Sequence, residues 1–141
     1  MSEDQTKPLN WTPAPGVGYT ASRRPDGGLY LRFTSLDHAT LQHWREFALE
    51  HLLDSDRLTR NLYDLRPLET VTDEAVSYAV EVNTDPSVRN IRLAVVVSTD
   101  QVGQAVHRIA ALSGSSSVEM AVFYDLEAAE AWLDRPLTIL V

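Results

Sequence analysis

From position 17 onward the chain alternates short apolar runs with longer stretches in which apolar residues recur every three or four positions. Two extended runs, 17–23 and 29–33, flank Pro25-Asp26-Gly27-Gly28, a turn sequence that predicts a β-hairpin. In the second run Leu29, Leu31 and Phe33 fall on one face and Tyr30 and Arg32 on the other. A helix is predicted to begin near Ser35 or Asp37, with Leu41, Trp44, Ala48 and Leu52 forming its apolar stripe. A short strand over 61–65 follows. Thr72 with Asp73 and Glu74 then opens a second helix, the carboxylates suiting its positive end, and Asp85-Pro86 closes it. Residues 91–97 are nearly continuous and β-branched, the pattern of a strand buried on both sheet faces. For the third helix, Ser98 and Gln101 fit a capping box. Val102, Ala105, Val106 and Ile109 form its stripe, and Gly114 fits its end. A strand over 118–123 precedes a last helix, capped by Asp125, with Leu126, Ala129 and Leu133 facing inward and Pro136 stopping it. Residues 137–141 form a final apolar segment.

After the hairpin, strands and helices alternate, which predicts an α/β domain with a mixed, mostly parallel sheet of about five strands. The first strand runs antiparallel at one edge, and helices pack on the sheet. Residues 1–16 carry Pro8, Pro13 and Pro15 with few aliphatics and read as a loosely packed tail, with Trp11 as the exception. Residues 17–141 then form one domain, an ordinary size for a single core. Trp44, Tyr78, Phe123 and Trp132 are expected in or near that core.

Charge and composition narrow the function. The net charge of −8 argues against general nucleic-acid binding, which depends on basic side chains. Cysteine is absent, which excludes disulfides, thiolate metal sites and cysteine nucleophiles. Lys7 is the only lysine and lies in the tail, so Schiff-base and P-loop chemistry lack a candidate. The polar start of the sequence lacks a secretory pattern. No apolar run approaches the roughly 18 residues of a membrane span, so a cytoplasmic location is expected.

The sequence Gly16-Val17-Gly18-Tyr19-Thr20-Ala21 matches a dinucleotide fingerprint, but a Pro-rich segment precedes it and a strand follows. The strand-then-helix context that the chemistry needs is missing. Asp64, Asp100 and Asp125 each follow a predicted parallel strand, at the end of the sheet where ligands of open α/β proteins bind. They invite a metal–phosphate reading, with Arg66, Ser98, Thr99 and Tyr124 nearby. Helix capping accounts for Asp125 and Asp100 more simply, and no metal ligand set and no cofactor is assigned. His43, Glu46 and Glu50 share a helix face at zinc-like spacing, although a solvated face is the simpler reading. No serine lies in a nucleophile elbow.

From about residue 17 to 135 the order of elements resembles the SpoIIAA-like superfamily. That superfamily includes STAS domains and the fold-related CRAL-TRIO lipid-binding domains, and small bacterial STAS-like proteins are the nearest match. The resemblance is carried by the entry hairpin, the strand Asn61-Leu62-Tyr63-Asp64-Leu65-Arg66 and the strand over 91–97. It is carried as well by Val122-Phe123-Tyr124-Asp125 followed by Glu127-Ala128-Ala129-Glu130-Ala131-Trp132-Leu133. It implies binding or regulation rather than catalysis. Sporulation-type members carry a phosphorylated serine within Asp-Ser-Ser-Gly. The corresponding stretch here is Leu68-Glu69-Thr70-Val71-Thr72-Asp73, so that motif is absent. Thr70 and Thr72 are the corresponding phosphorylation candidates, with capping as their simpler role and with Glu69, Asp73 and Glu74 opposing a phosphate. Receiver domains resemble the alternation too, but they use a strand-end lysine that residues 91–141 lack.

The expectation is therefore a non-enzymatic binding or regulatory module of STAS-like type with a protein partner. The alternative is a binder of a small anionic ligand, in which Asp64, Arg66, Ser98, Thr99, Asp100, Tyr124 and Asp125 line a cleft at the strand ends. Trp132, Leu137, Ile139 and Val141 are candidates for a homodimer interface, because an uncovered apolar strand seeks a partner.

Overall fold

The computed structural model describes residues 16–52, 59–88, 90–114 and 118–135. The elements run β1 (Tyr19–Arg23), β2 (Leu29–Phe33), α1 (His38–Leu52), β3 (Thr59–Asp64), α2 (Asp73–Thr84), β4 (Ile91–Val96), α3 (Asp100–Ser113), β5 (Val118–Phe123) and α4 (Leu126–Leu133). They form an α/β fold around one five-stranded sheet in the order β1-β2-β3-β4-β5. β1 pairs antiparallel with β2, and every other neighbouring pair is parallel. The tail over 1–15, Trp11 and the segment 137–141, with Leu137, Ile139 and Val141, lie outside the described residues, as does Pro136.

The sheet is laid down strand by strand in one direction, so crossovers of a single hand put successive helices on the same face. α1, α2 and α3 cover that face. Leu31, Phe33, Tyr63, Leu93 and Val95 of the strands meet Trp44 and Phe47 of α1, Val82 of α2 and Val102 and Val106 of α3. α4 follows the last strand and takes the opposite face, where Ala129 and Leu133 bury Leu62, Ala94 and Val96. β4 is therefore covered on both sides, and all six of its residues are buried.

Arg92 is among those six, and its charge is accommodated by the end of a helix. The last carbonyls of a helix have no partner within it. Arg92 Nη1 donates to the carbonyls of Leu133 (3.4 Å) and Arg135 (2.8 Å), while Arg60 Nε donates to that of Leu133 (2.6 Å). Arg24, also buried, holds the same helix from the hairpin by ion pairs to Glu130 (2.7 Å) and Asp134 (3.6 Å). Trp132 is half-buried, against Phe123 at 5.7 Å and with the guanidinium groups of Arg92 and Arg135 over its ring at 5.7 and 5.0 Å.

Two local expectations give way to a different arrangement. Thr99, rather than Ser98, caps α3, its Oγ1 accepting from Val102 N at 3.2 Å; Ser98 Oγ donates to the carbonyl of Arg66 at 2.7 Å. The two residues offer similar hydroxyls, and the position of the first helical turn decides between them. His43 does not sit on a solvated face: it is half-buried, and its Nδ1 lies 2.7 Å from the Tyr19 hydroxyl on β1.

Candidate functional site

Two places in the fold gather the chemistry. The first is the carboxyl end of the central strands. Asp64 ends β3 with a fully buried side chain. Its Oδ1 accepts from the backbone N of Arg66 (3.1 Å) and from Arg66 Nε (2.9 Å). Its Oδ2 accepts from Arg66 Nη2 (2.7 Å) and the Tyr30 hydroxyl (3.1 Å). Arg32 stands 3.7 Å away. Burial opposes the charge on Asp64, but the hydrogen bonds from Arg66 and Tyr30 outweigh it and hold the carboxyl below its ordinary pKa. This carboxylate is ionised and its acceptor sites are occupied, which suits a structural anchor better than a proton-transfer group.

The other residues singled out at the strand ends are spread among local roles. Ser98 joins the Asp64–Arg66 group through the Arg66 carbonyl. Asp100 accepts from the Tyr124 hydroxyl at 2.6 Å. Asp125 caps α4 by accepting from Ala128 N, Thr99 caps α3, and Thr72 caps α2 by accepting from Ala75 N at 3.1 Å. Thr70 is exposed. Among the described residues, no three His, Asp or Glu side chains are grouped as metal ligands.

The second place is a cavity of about 80 Å³ between the sheet and the layer of α1, α2 and α3. Its floor comes from β3, β4 and β5, with Asn61, Tyr63, Leu93, Val95 and Met120 among its lining. α2 lines it with Ala75, Ala79, Val82 and Asn83, at spacings of four, three and one. The two alanines account for the space. They stand where a long side chain on α2 would reach the sheet, and α2 is held by its neighbours α1 and α3. Among the described residues, the lining contains no charged side chain.

Three polar groups interrupt this apolar wall. Asn61 is fully buried, and its Oδ1 accepts from the backbone N of Leu29 at 2.9 Å. That bond fixes the amide orientation, since a backbone N–H needs an acceptor. The amide nitrogen, Asn61 Nδ2, is buried with no hydrogen-bond partner among the described residues. Tyr63 receives a hydrogen bond from Trp44 Nε1 at 3.3 Å, and burial pushes its pKa up to about 12. Asn83 Nδ2 makes only long contacts, 3.4 Å each, to Ser113 Oγ and Met120 Sδ.

A crystal structure of an uncharacterised DUF3478-family protein from Shewanella loihica PV-4, described as having a SpoIIAA-like fold, matches this architecture. The TM-score is 0.60 over 87% of this chain and 99% of that one. This chain has a SpoIIAA-like fold. At 16% identity the likeness extends to the fold alone. No family model matches the sequence, and no curated protein matches it. In this SpoIIAA-like chain no described helix is long and apolar enough to cross a membrane.

Sequence reasoning reached the strand-end residues because Asp and Arg after a strand stand out. It missed the cavity. The available signals were Asn61 within an otherwise apolar strand and Ala75, Ala79 and Asn83 repeating every four residues along the inner face of α2.

Proposed function

We propose that this chain is a non-enzymatic binding module, regulatory in the STAS-like manner, whose ligand site is the apolar cavity beneath α2. The observation that carries this reading is the cavity itself: about 80 Å³ of space walled by the sheet and three helices, its described lining uncharged. Close-packed interiors leave few voids larger than a water molecule, and apolar cavities of about 150 Å³ take up benzene or xenon. A space of about half that size suits a small apolar molecule, or the apolar end of a larger one. The saturated state of the strand-end carboxylate supports a binding role over a catalytic one, because Asp64 is spent on Arg66 and Tyr30.

The test is xenon binding followed by NMR of the side chains around the cavity. Occupancy is expected to shift the methyl signals of Val82, Leu93 and Val95, and Ala79→Leu is expected to abolish those shifts while leaving the chain folded. Xenon without site-specific shifts in the wild-type protein would reject the reading.

A second reading has its own observation. Arg32 and Arg66, both about half exposed, bring two positive charges to the single carboxylate of Asp64. That excess suits a small anion at the strand carboxyl ends. Arg66→Ala should then weaken phosphate binding several-fold; equal affinity in the variant and the wild type would dismiss it.

A further inference from the structure

We propose that the cavity takes a neutral carbonyl compound, its apolar body against Leu93 and Val95 and its oxygen accepting a hydrogen bond from Asn61 Nδ2. This rests on the reading of the cavity as a ligand site, and it specifies the ligand's polar chemistry.

Asn61 is fully buried in the wall of the cavity, and among the described residues its amide nitrogen has no acceptor. Leaving such a group unpaired in an apolar interior is unfavourable, so it selects for an acceptor. The amide cannot simply rotate to exchange its ends, because Oδ1 is held by Leu29 N. Tyr63, two residues on and on the same face of β3, also lines the cavity. Its oxygen already accepts from Trp44 Nε1, which can only donate. The hydroxyl hydrogen of Tyr63 is therefore a second donor in the cavity wall. A group that accepts two hydrogen bonds and donates none is a carbonyl rather than an amine.

Charge decides the rest. Among the described residues no cation lines the cavity, so a carboxylate would enter without a counter-ion from them and lose its hydration. A ketone, aldehyde, ester or thioester presents the same acceptor without that penalty. The size of the cavity limits the buried part to a small group.

The experiment uses the full chain, labelled with ¹⁵N and with ¹³C methyls, titrated separately with 2-pentanone, n-pentane and pentanoate. 2-Pentanone is expected to shift both the cavity methyls and the Asn61 side-chain NH₂ signals. n-Pentane is expected to shift the methyls alone, and pentanoate neither. Asn61→Leu is expected to lower 2-pentanone affinity roughly 3- to 10-fold more than n-pentane affinity, the usual range for one net hydrogen bond. The wild-type comparison decides the matter if that variant does not fold. Methyl shifts with both neutral probes but an unmoved Asn61 NH₂ signal would overturn the carbonyl inference and leave the cavity reading intact. Pentanoate binding as tightly as 2-pentanone would overturn the selection for a neutral ligand. Absence of methyl shifts with any probe would remove the cavity reading and this inference together.

Discussion

Asp64 and Tyr63 are neighbours on β3 and point to opposite faces, and their surroundings set opposite responses to pH. The folded-state pKa of Asp64 is lowered, so its contribution to stability is present above the ordinary carboxylate value of about 3.9 and is lost as pH falls through the lowered one. Asp64→Asn is expected to flatten the acid limb of the stability curve. It is also expected to cost about 1–3 kcal/mol at neutral pH, since Arg66 and Tyr30 lose a charged acceptor. Urea denaturation across the acid range measures both effects. The pKa of Tyr63 is raised to about 12, so its contribution is complete below the ordinary value of about 10 and disappears as pH rises to about 12. Tyr63→Phe is expected to lose less stability than the wild type over that alkaline interval; parallel losses in both proteins would contradict the assignment.

The hairpin and α2 show what individual elements contribute. The turn between β1 and β2 places Gly27 at a φ of +90° and brings Gly28 against β3, where an added Cβ would lie 1.6 Å from the carbonyl oxygen of Arg60. No small adjustment relieves a clash with backbone. Gly28→Ala is expected to destabilise by several kcal/mol, in the range of severe core overpacking, and thermal unfolding checks it. This glycine was legible as part of a turn, but its contact with β3 was not, because the constraint comes from a strand more than 30 residues away in the chain. α2 reads differently. Its cap at Thr72 and its end before Pro86 were plain in the sequence, since capping and proline act within a few residues. Its distance from the sheet was not, because that depends on how α1 and α3 hold it.

At the scale of the whole molecule, a net charge of −8 on 141 residues gives self-repulsion that favours the unfolded chain. Raising NaCl from low to physiological concentration is expected to raise the melting temperature, because screening weakens that repulsion over distances beyond about 8–10 Å. The close pairs Arg24–Glu130 and Arg66–Asp64 are screened less, so they do not reverse the trend. A melting temperature that falls with salt would mean that attractive ion pairs dominate instead.

The order of the elements, the antiparallel entry and the parallel remainder were legible in the chain alone. These follow from local signals: the turn at 25–28, the continuous apolar strand over 91–97, and the caps at Thr72 and Asp125. Tertiary structure decided where those elements leave a gap and which polar groups find partners. Arg92 is buried safely because the carbonyl end of α4 lies over it, and Asp64 because Arg66 and Tyr30 converge on it. Asn61 receives one partner, Leu29 N, and its amide nitrogen is left without one among the described residues, in the wall of the cavity that Ala75 and Ala79 also line. Hydrogen-bond satisfaction and packing volume depend on residues brought together from different strands and helices, and no local pattern of residues carries that information.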